Sequence, residues 1–127
     1  MNTKIDFNLN PFVVIWESTR ACDLSCVHCR AAAQPRRSQF ELTTEEGYKL
    51  IDDIALLKPK VFVITGGDPL KREDTYDLIE HAKKVGPQPS VPPSAPPLLT
   101  DDAVSRANFA FVHFRMERPR KLSPSAI

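Results

Sequence analysis

"VFVITGGDP", Val61 to Pro69, is the stretch whose reading decides the architecture. Residues 61–65 are apolar or β-branched without interruption, which is the signature of a strand buried in a parallel sheet rather than one wetted on alternate sides. Two glycines then end the strand in a turn. Downstream, "REDTYDLIEHAKKVG" (residues 72–86) spaces its apolar positions for one face of a helix and stops at Gly86. Upstream, "TTEEGYKLIDDIALLKPK" (residues 43–60) opens on a threonine cap with early glutamates. It places Tyr48, Leu50, Ile51, Ile54 and Leu57 near helical spacing and is ended by Pro59. Before it lies "FVVIW" (residues 12–16), a second short buried-type strand behind Pro11.

The order strand, helix, strand, helix predicts an α/β fold in which helices cover a parallel sheet, as in an α/β barrel or part of one. In such folds the loops after the C-terminal ends of the strands carry the chemistry. Both distinctive motifs of the chain, the "GGDP" turn and the cysteine loop "ACDLSCVHC" (residues 21–29), follow strands directly.

Composition narrows the function classes. A chain of 127 residues makes one modest domain with a single core. A net charge of +1, with 42% hydrophobic and 26% charged residues, gives no electrostatic reason to expect nucleic acid as a partner. No apolar run reaches the roughly 20 residues that span a bilayer, and Glu17 interrupts the apolar stretch near the N-terminus. A cytoplasmic protein without a signal peptide and without membrane contact is expected.

After Gly86 the character changes. Six of the twelve prolines fall between Pro87 and Pro97, so that segment reads either as a polyproline-type linker or as a damaged strand. Residues 100–108 suit a third helix with Thr100 as its cap and Asp101 and Asp102 in the first turn. "FAFVHF" (109–114) reads as a strand, and "RMERPRKLSPSAI" (115–127) as a disordered basic tail.

All three cysteines, Cys22, Cys26 and Cys29, stand in the one loop with the spacing Cys-x3-Cys-x2-Cys. An odd, clustered count fits a reducing compartment better than a disulfide framework. Three thiolates around a small volume suit three irons of a cubane cluster, leaving the fourth open as a catalytic metal requires. A Cys3His zinc site using His28 or His81 and three buried structural thiols are the alternatives.

The stretch "WESTRACDLSCVHC" (residues 16–29) resembles the cluster-binding signature of radical S-adenosylmethionine (radical SAM) enzymes. The resemblance implies a 4Fe-4S cluster on Cys22, Cys26 and Cys29 whose unique iron chelates SAM. It further implies one-electron cleavage of SAM to a 5′-deoxyadenosyl radical that abstracts hydrogen from a substrate. His28 stands where the family usually has an aromatic residue whose neighbourhood contacts the adenine. Asp23 stands where many relatives have Asn, adding negative charge that Arg20 and Arg30 are placed to offset. "GGDP" is similar to the family's Gly-Gly-Glu-Pro motif, which implies that Gly66, Gly67, Asp68 and Pro69 hold the amino group of SAM, with Asp68 in place of the more frequent glutamate.

Residues 42–70 also resemble the branch that contains haem-modifying and peptide-modifying maturation enzymes, which implies a small-molecule or peptide substrate and an external electron donor. Glu45, Glu46, Asp52, Asp53 and His81 are expected to be solvated. Family members complete a partial (β/α)6 barrel, whereas the likeness here fades by about Arg106. Residues 1–106 are therefore read as the N-terminal part of a radical SAM domain, apparently a truncated fragment, and residues 107–127 as an irregular or aberrant tail. An incomplete barrel would leave an open strand edge and depend on a partner chain for solubility. The alternative functions are a small zinc-binding interaction module and a catalytically dead cluster-binding remnant.

Overall fold

A computed structural model of the chain describes residues 6–24, 26, 27, 29, 31–92 and 100–106. The elements are β1 (Val13–Thr19), α1 (Thr44–Leu57), β2 (Val61–Gly66), a 3-10 turn (Pro69–Lys71), α2 (Thr75–Val85), β3 (Pro89–Ser90) and α3 (Asp101–Arg106). The strands form one parallel sheet in the order β1-β2-β3, the α/β architecture expected. His28, Arg30, the strand expected at 109–114 and the tail at 107–127 lie outside the described residues.

The local signals act as their chemistry requires. Thr43 caps α1 in a full capping box: its hydroxyl accepts the Glu46 amide, and the Glu46 carboxylate accepts the Thr43 amide at 2.8 Å. Glu46 is thus a cap, not a merely solvated residue. The helix stops where Lys58 turns left-handed (φ 48°), directly before Pro59. The proline-rich segment starts as a damaged strand: β3 pairs only Pro89 and Ser90 with Phe62 and Val63. A proline is tolerated there because an edge strand need not donate on both sides.

The core lies between the sheet and the two long helices. Ile51 and Ile54 of α1, Phe62 and Ile64 of β2, Leu78, Ile79 and Ala82 of α2, and Val91 are all buried, with Val14 and Trp16 of β1 packed against them. Each fully buried Phe, Ile or Leu contributes about 1.5–3 kcal/mol. α1 can approach closely because position 47 is glycine; a Cβ there would lie 2.8 Å from a Leu78 methyl and 3.0 Å from the Trp16 ring. Leu57, expected in the apolar face, is 46% exposed at the end of the helix. Helices cover only one face among the described residues, since Val13 and Ile15 of β1 point outward with 43% and 54% exposure. β2, in the middle of the sheet, alternates buried Phe62 and Ile64 with half-buried Val61, Val63 and Thr65, so the unbroken apolar run is fully buried only on the side that faces the helices.

A buried ion pair, unforeseen in the sequence, ties β1 to the starts of both long helices. The Arg72 side chain is fully buried and forks onto Asp74 at 2.8 and 2.6 Å. Its third donor reaches the Ser18 carbonyl of β1 at 2.9 Å, and the guanidinium sits 5.6 Å from the centre of the Trp16 ring. Asp74 also accepts the Thr44 hydroxyl from the start of α1 at 2.8 Å. Burial opposes its charge, but the hydrogen bonds from Arg72 and Thr44 outweigh that and hold its carboxyl below the usual range. A carboxyl depressed in the folded state adds stability that is present above its unfolded pKa and lost as the pH falls through the folded value. Asp74→Ala leaves Arg72 buried and unpaired, so we expect a loss of about 3–5 kcal/mol at pH 7 in urea unfolding. The difference from the parent chain should shrink as the pH falls below about 4. A loss under about 1 kcal/mol, or a pH-independent one, would contradict this account of the pair.

Candidate functional site

The site is built where β1 and β2 end. The parallel register runs evenly from Val13↔Val61 to Glu17↔Thr65 and then slips, so that Thr19, not Ser18, faces Gly66. The extra residue is a bulge: both Ser18 and Thr19 become buried, and the Ser18 hydroxyl donates to the Thr65 carbonyl at 3.0 Å. Beyond the slip the chains stay in backbone contact. The Gly67 amide donates to the Thr19 carbonyl at 2.8 Å and the Asp68 amide to the Ala21 carbonyl at 2.7 Å.

This contact explains both glycines. A Cβ on Gly66 would overlap the Thr19 carbonyl, and one on Gly67 would stand 2.7 Å from the Arg20 carbonyl and overlap that of Ala21. Every obstacle is backbone, which cannot rotate aside. The glycine pair therefore lets the turn lie flat against the three residues before Cys22.

Asp68 is 2% exposed and its carboxylate accepts the Leu70 amide at 3.0 Å, capping the 3-10 turn that Pro69 begins. The Thr75 hydroxyl donates to the Pro69 carbonyl, tying the turn to α2. Lys71, in the same turn, forms an ion pair with Asp23 of the cysteine loop. The charge of Asp23 is thus met by Lys71; of the two arginines that offered compensation, Arg30 lies outside the described residues. Arg20 instead donates to the carbonyls of Ala31 and Ala32, both at 3.1 Å.

The cysteine loop is held at its base. Cys22 donates its amide to the Gln34 carbonyl at 2.8 Å, and the Gln34 amide donates to the Arg20 carbonyl at 2.7 Å, forming a parallel bridge between Ala21 and Gln34. Cys22 is buried and its sulfur accepts the Leu24 amide at 3.4 Å; Cys26 and Cys29 are half-buried, and the Cys29 amide donates to the Cys26 carbonyl at 3.3 Å. None of the three is in a disulfide. Among the described residues no three His, Cys, Asp or Glu side chains already converge as a metal site. The fit to an iron-sulfur cluster rests on the donors: three thiols on one loop closed at its base, with an amide hydrogen bond on one sulfur of the kind that tunes such clusters.

Glu41 was not singled out in the sequence. Its carboxylate accepts the Thr19 hydroxyl at 2.6 Å, the Ser38 amide at 3.2 Å and the Arg37 guanidinium at 2.7 Å. It also accepts the Arg20 amide at 3.4 Å. Burial works against this charge, but the Thr19, Arg37 and Ser38 hydrogen bonds win and keep the carboxyl below its usual range. No local motif marks such a residue, because the partners that tie it to β1, Thr19 and Arg20, are 22 and 21 positions away. His81, offered as a zinc ligand or expected to be solvated, is half-buried against α1. Its Nε2 lies 2.7 Å from Asp52 of α1 and its ring rests on Tyr48, with centroids 4.5 Å apart. The side chains of Asp52 and Asp53 are half exposed; Asp53 pairs with Lys49.

A parallel sheet whose strand ends present a three-thiol loop against a Gly-Gly turn defines a class of cofactor-binding α/β domains. Within it, the sequence pattern of the Radical SAM superfamily matches residues 16–116, and the chain belongs to that superfamily. The Fe-coproporphyrin III synthase of Methanosarcina barkeri is 45% identical over 74 residues, which are 58% of this chain and 18% of that protein. The AdoMet-dependent heme synthase of Oleidesulfovibrio alaskensis is 42% identical over 74 residues, 58% of this chain and 19% of the relative. The chain thus spans under a fifth of the length of these two curated relatives. Among solved structures, Streptococcus suis SuiB bound to S-adenosylmethionine superposes with a TM-score of 0.68 at 16% identity, covering 84% of this chain and 24% of SuiB. SuiB bound to precursor peptide SuiA gives 0.69, with the same coverage. That likeness establishes the partial radical SAM-type barrel as the fold.

We expect Gly67→Ala to destabilise the chain by about 1–3 kcal/mol in urea unfolding, because the methyl meets only backbone carbonyls. A neutral substitution would show that the turn and the Cys22 strand end are not in the contact described.

Proposed function

We propose that this chain supplies the cluster- and SAM-binding part of a radical SAM enzyme. Cys22, Cys26 and Cys29 hold a 4Fe-4S cluster, and Gly66, Gly67, Asp68 and Pro69 line the place of the SAM amino group. The observation that carries the reading is the backbone contact between the Gly66–Gly67 turn and Thr19–Ala21, which puts the two motifs side by side. When bound, the reduced cluster and SAM together supply a 5′-deoxyadenosyl radical for hydrogen abstraction.

The residues of the chain do the placing. The glycines leave bare backbone, partly exposed, beside the first cysteine. Asp68 holds the turn in shape through the Leu70 amide, and Lys71 offsets the negative charge of Asp23 next to an anionic cluster. His28 completes the adenine side of the reading. An external donor provides the electron. The substrate is a small molecule or a peptide, in keeping with the synthases and the peptide-bound SuiB that the chain resembles. Three clustered thiols suit a reducing compartment, and the reading places the chain in the cytoplasm. Residues 1–106 act as the cofactor-binding unit.

Anaerobic reconstitution with iron and sulfide tests this. We expect a brown protein with one cluster, about four irons, per chain. Cys22→Ala, Cys26→Ala and Cys29→Ala should each abolish the stable cluster. Added SAM should change the electron paramagnetic resonance spectrum of the reduced cluster, and Asp68→Ala should weaken that response. A colourless chain that takes up zinc instead would overturn the reading. An intact cluster whose spectrum ignores SAM would make the chain a cluster-binding remnant.

A further inference from the structure

The cysteine loop is closed by side chains that the proposed reading leaves without a role. Arg20 lies at the near end of the loop, one residue beyond β1, and its guanidinium spans to the far end, donating to the Ala31 and Ala32 carbonyls. Ala32 takes a left-handed backbone conformation (φ 46°), which costs an alanine energy that a glycine would not incur. Its carbonyl accepts from Arg20 and also from the Gln34 side chain at 3.2 Å, so the strained turn is held from two sides. Glu41 anchors the other end of the return limb to the same strand end: Thr19 donates its hydroxyl to Glu41, while that hydroxyl accepts the Ala21 amide at 3.1 Å. The Arg20 amide and the Ser38 amide also point at the Glu41 carboxylate. The chain from Cys22 to Ala31, which carries all three thiols, thus leaves and returns through a frame made without metal.

We propose that Arg20 and Glu41 are positioning residues that form a metal-independent clasp, holding together the two ends of the segment that carries the three thiols before a cluster is inserted. The inference rests on the reading of Cys22, Cys26 and Cys29 as cluster ligands. Its physical basis is loop entropy. A metal that had to close an open loop and order its return limb would lose part of its binding free energy to that ordering. A loop already closed at Arg20–Ala31/Ala32 and Thr19–Glu41 leaves only the segment between to be ordered.

Two measurements on the full chain test the clasp. In the metal-free protein, hydrogen exchange should show the Cys22 and Gln34 amides protected, and Arg20→Ala, which removes the two charge-assisted hydrogen bonds to Ala31 and Ala32, should speed their exchange by about tenfold or more. In the reconstituted protein, Arg20→Ala and Glu41→Ala should each hasten loss of iron to a chelator by about tenfold. Their melting temperatures should stay near that of the parent, which separates positioning from a general loss of fold. Glu41→Gln, which keeps an acceptor for Thr19 and the two amides, should recover most of the retention. Unprotected Cys22 and Gln34 amides in the metal-free parent, or chelator loss unchanged in both alanine variants, would overturn the clasp. If the parent takes up no cluster while Arg20→Ala still releases the protected amides, the clasp stands and the cluster reading falls.

Discussion

The approach of two strand ends, backbone to backbone, is the constraint on which the site depends. Gly67 and Asp68 donate their amides to Thr19 and Ala21, and no side chain intervenes because positions 66 and 67 have none. A bulge at Ser18 is what brings this about. Without the slip in register, the residues before Cys22 would continue the ladder and the loop would leave the sheet one residue later, on the opposite face. The chemistry of the cysteines and that of the glycine turn are thus joined by a property of the main chain.

Side chains then fix that geometry from two directions. Beneath it, Arg72 takes the Ser18 carbonyl at the bulge while forked onto Asp74, which in turn receives Thr44 from α1. The bulged strand, both long helices and the turn after β2 therefore share one buried charge pair. Beside it, Glu41 and Arg20 tie the return limb of the cysteine loop to the end of β1. Lys71 and Asp23 add a cross-link between the two motifs, though an ion pair this accessible contributes little to stability and matters more for local charge.

The order of elements was legible because each rests on local chemistry: the Thr43–Glu46 box, Pro59 after α1, Gly86 after α2 and the apolar run of β2. The cysteine spacing and the glycine turn were legible for the same reason. What stayed hidden is long-range. Arg72 reads as a surface residue of a charged segment, and its burial follows only from Trp16 and Asp74 meeting around it. Glu41 has no motif, and its partner Thr19 looks like the tail of a strand. Nothing in the sequence near Asp23 points to Lys71, the partner that meets it from the other motif. His81 reads as a solvated helix residue until α1 brings Asp52 and Tyr48 against it. Sequence carries the elements and the reactive groups; the pairs that hold them in place exist only once the chain is folded.

On the proposed reading, this division bears on how a metal-dependent site sits in a small domain. In a zinc finger the ligands come from the elements themselves, so folding and metal binding are one event. Here the core of Ile51, Phe62, Ile64 and Leu78, the Arg72–Asp74 pair and the glycine contact involve no cysteine. The frame is therefore complete without the thiols, and of the three cysteines only Cys22 belongs to the buried structure. Cys26 and Cys29 remain half-buried on the segment between the two closed ends. Stability rests on residues outside the cysteine segment, so on the proposed reading the sheet, the turn and the helices keep their positions when a cluster is inserted.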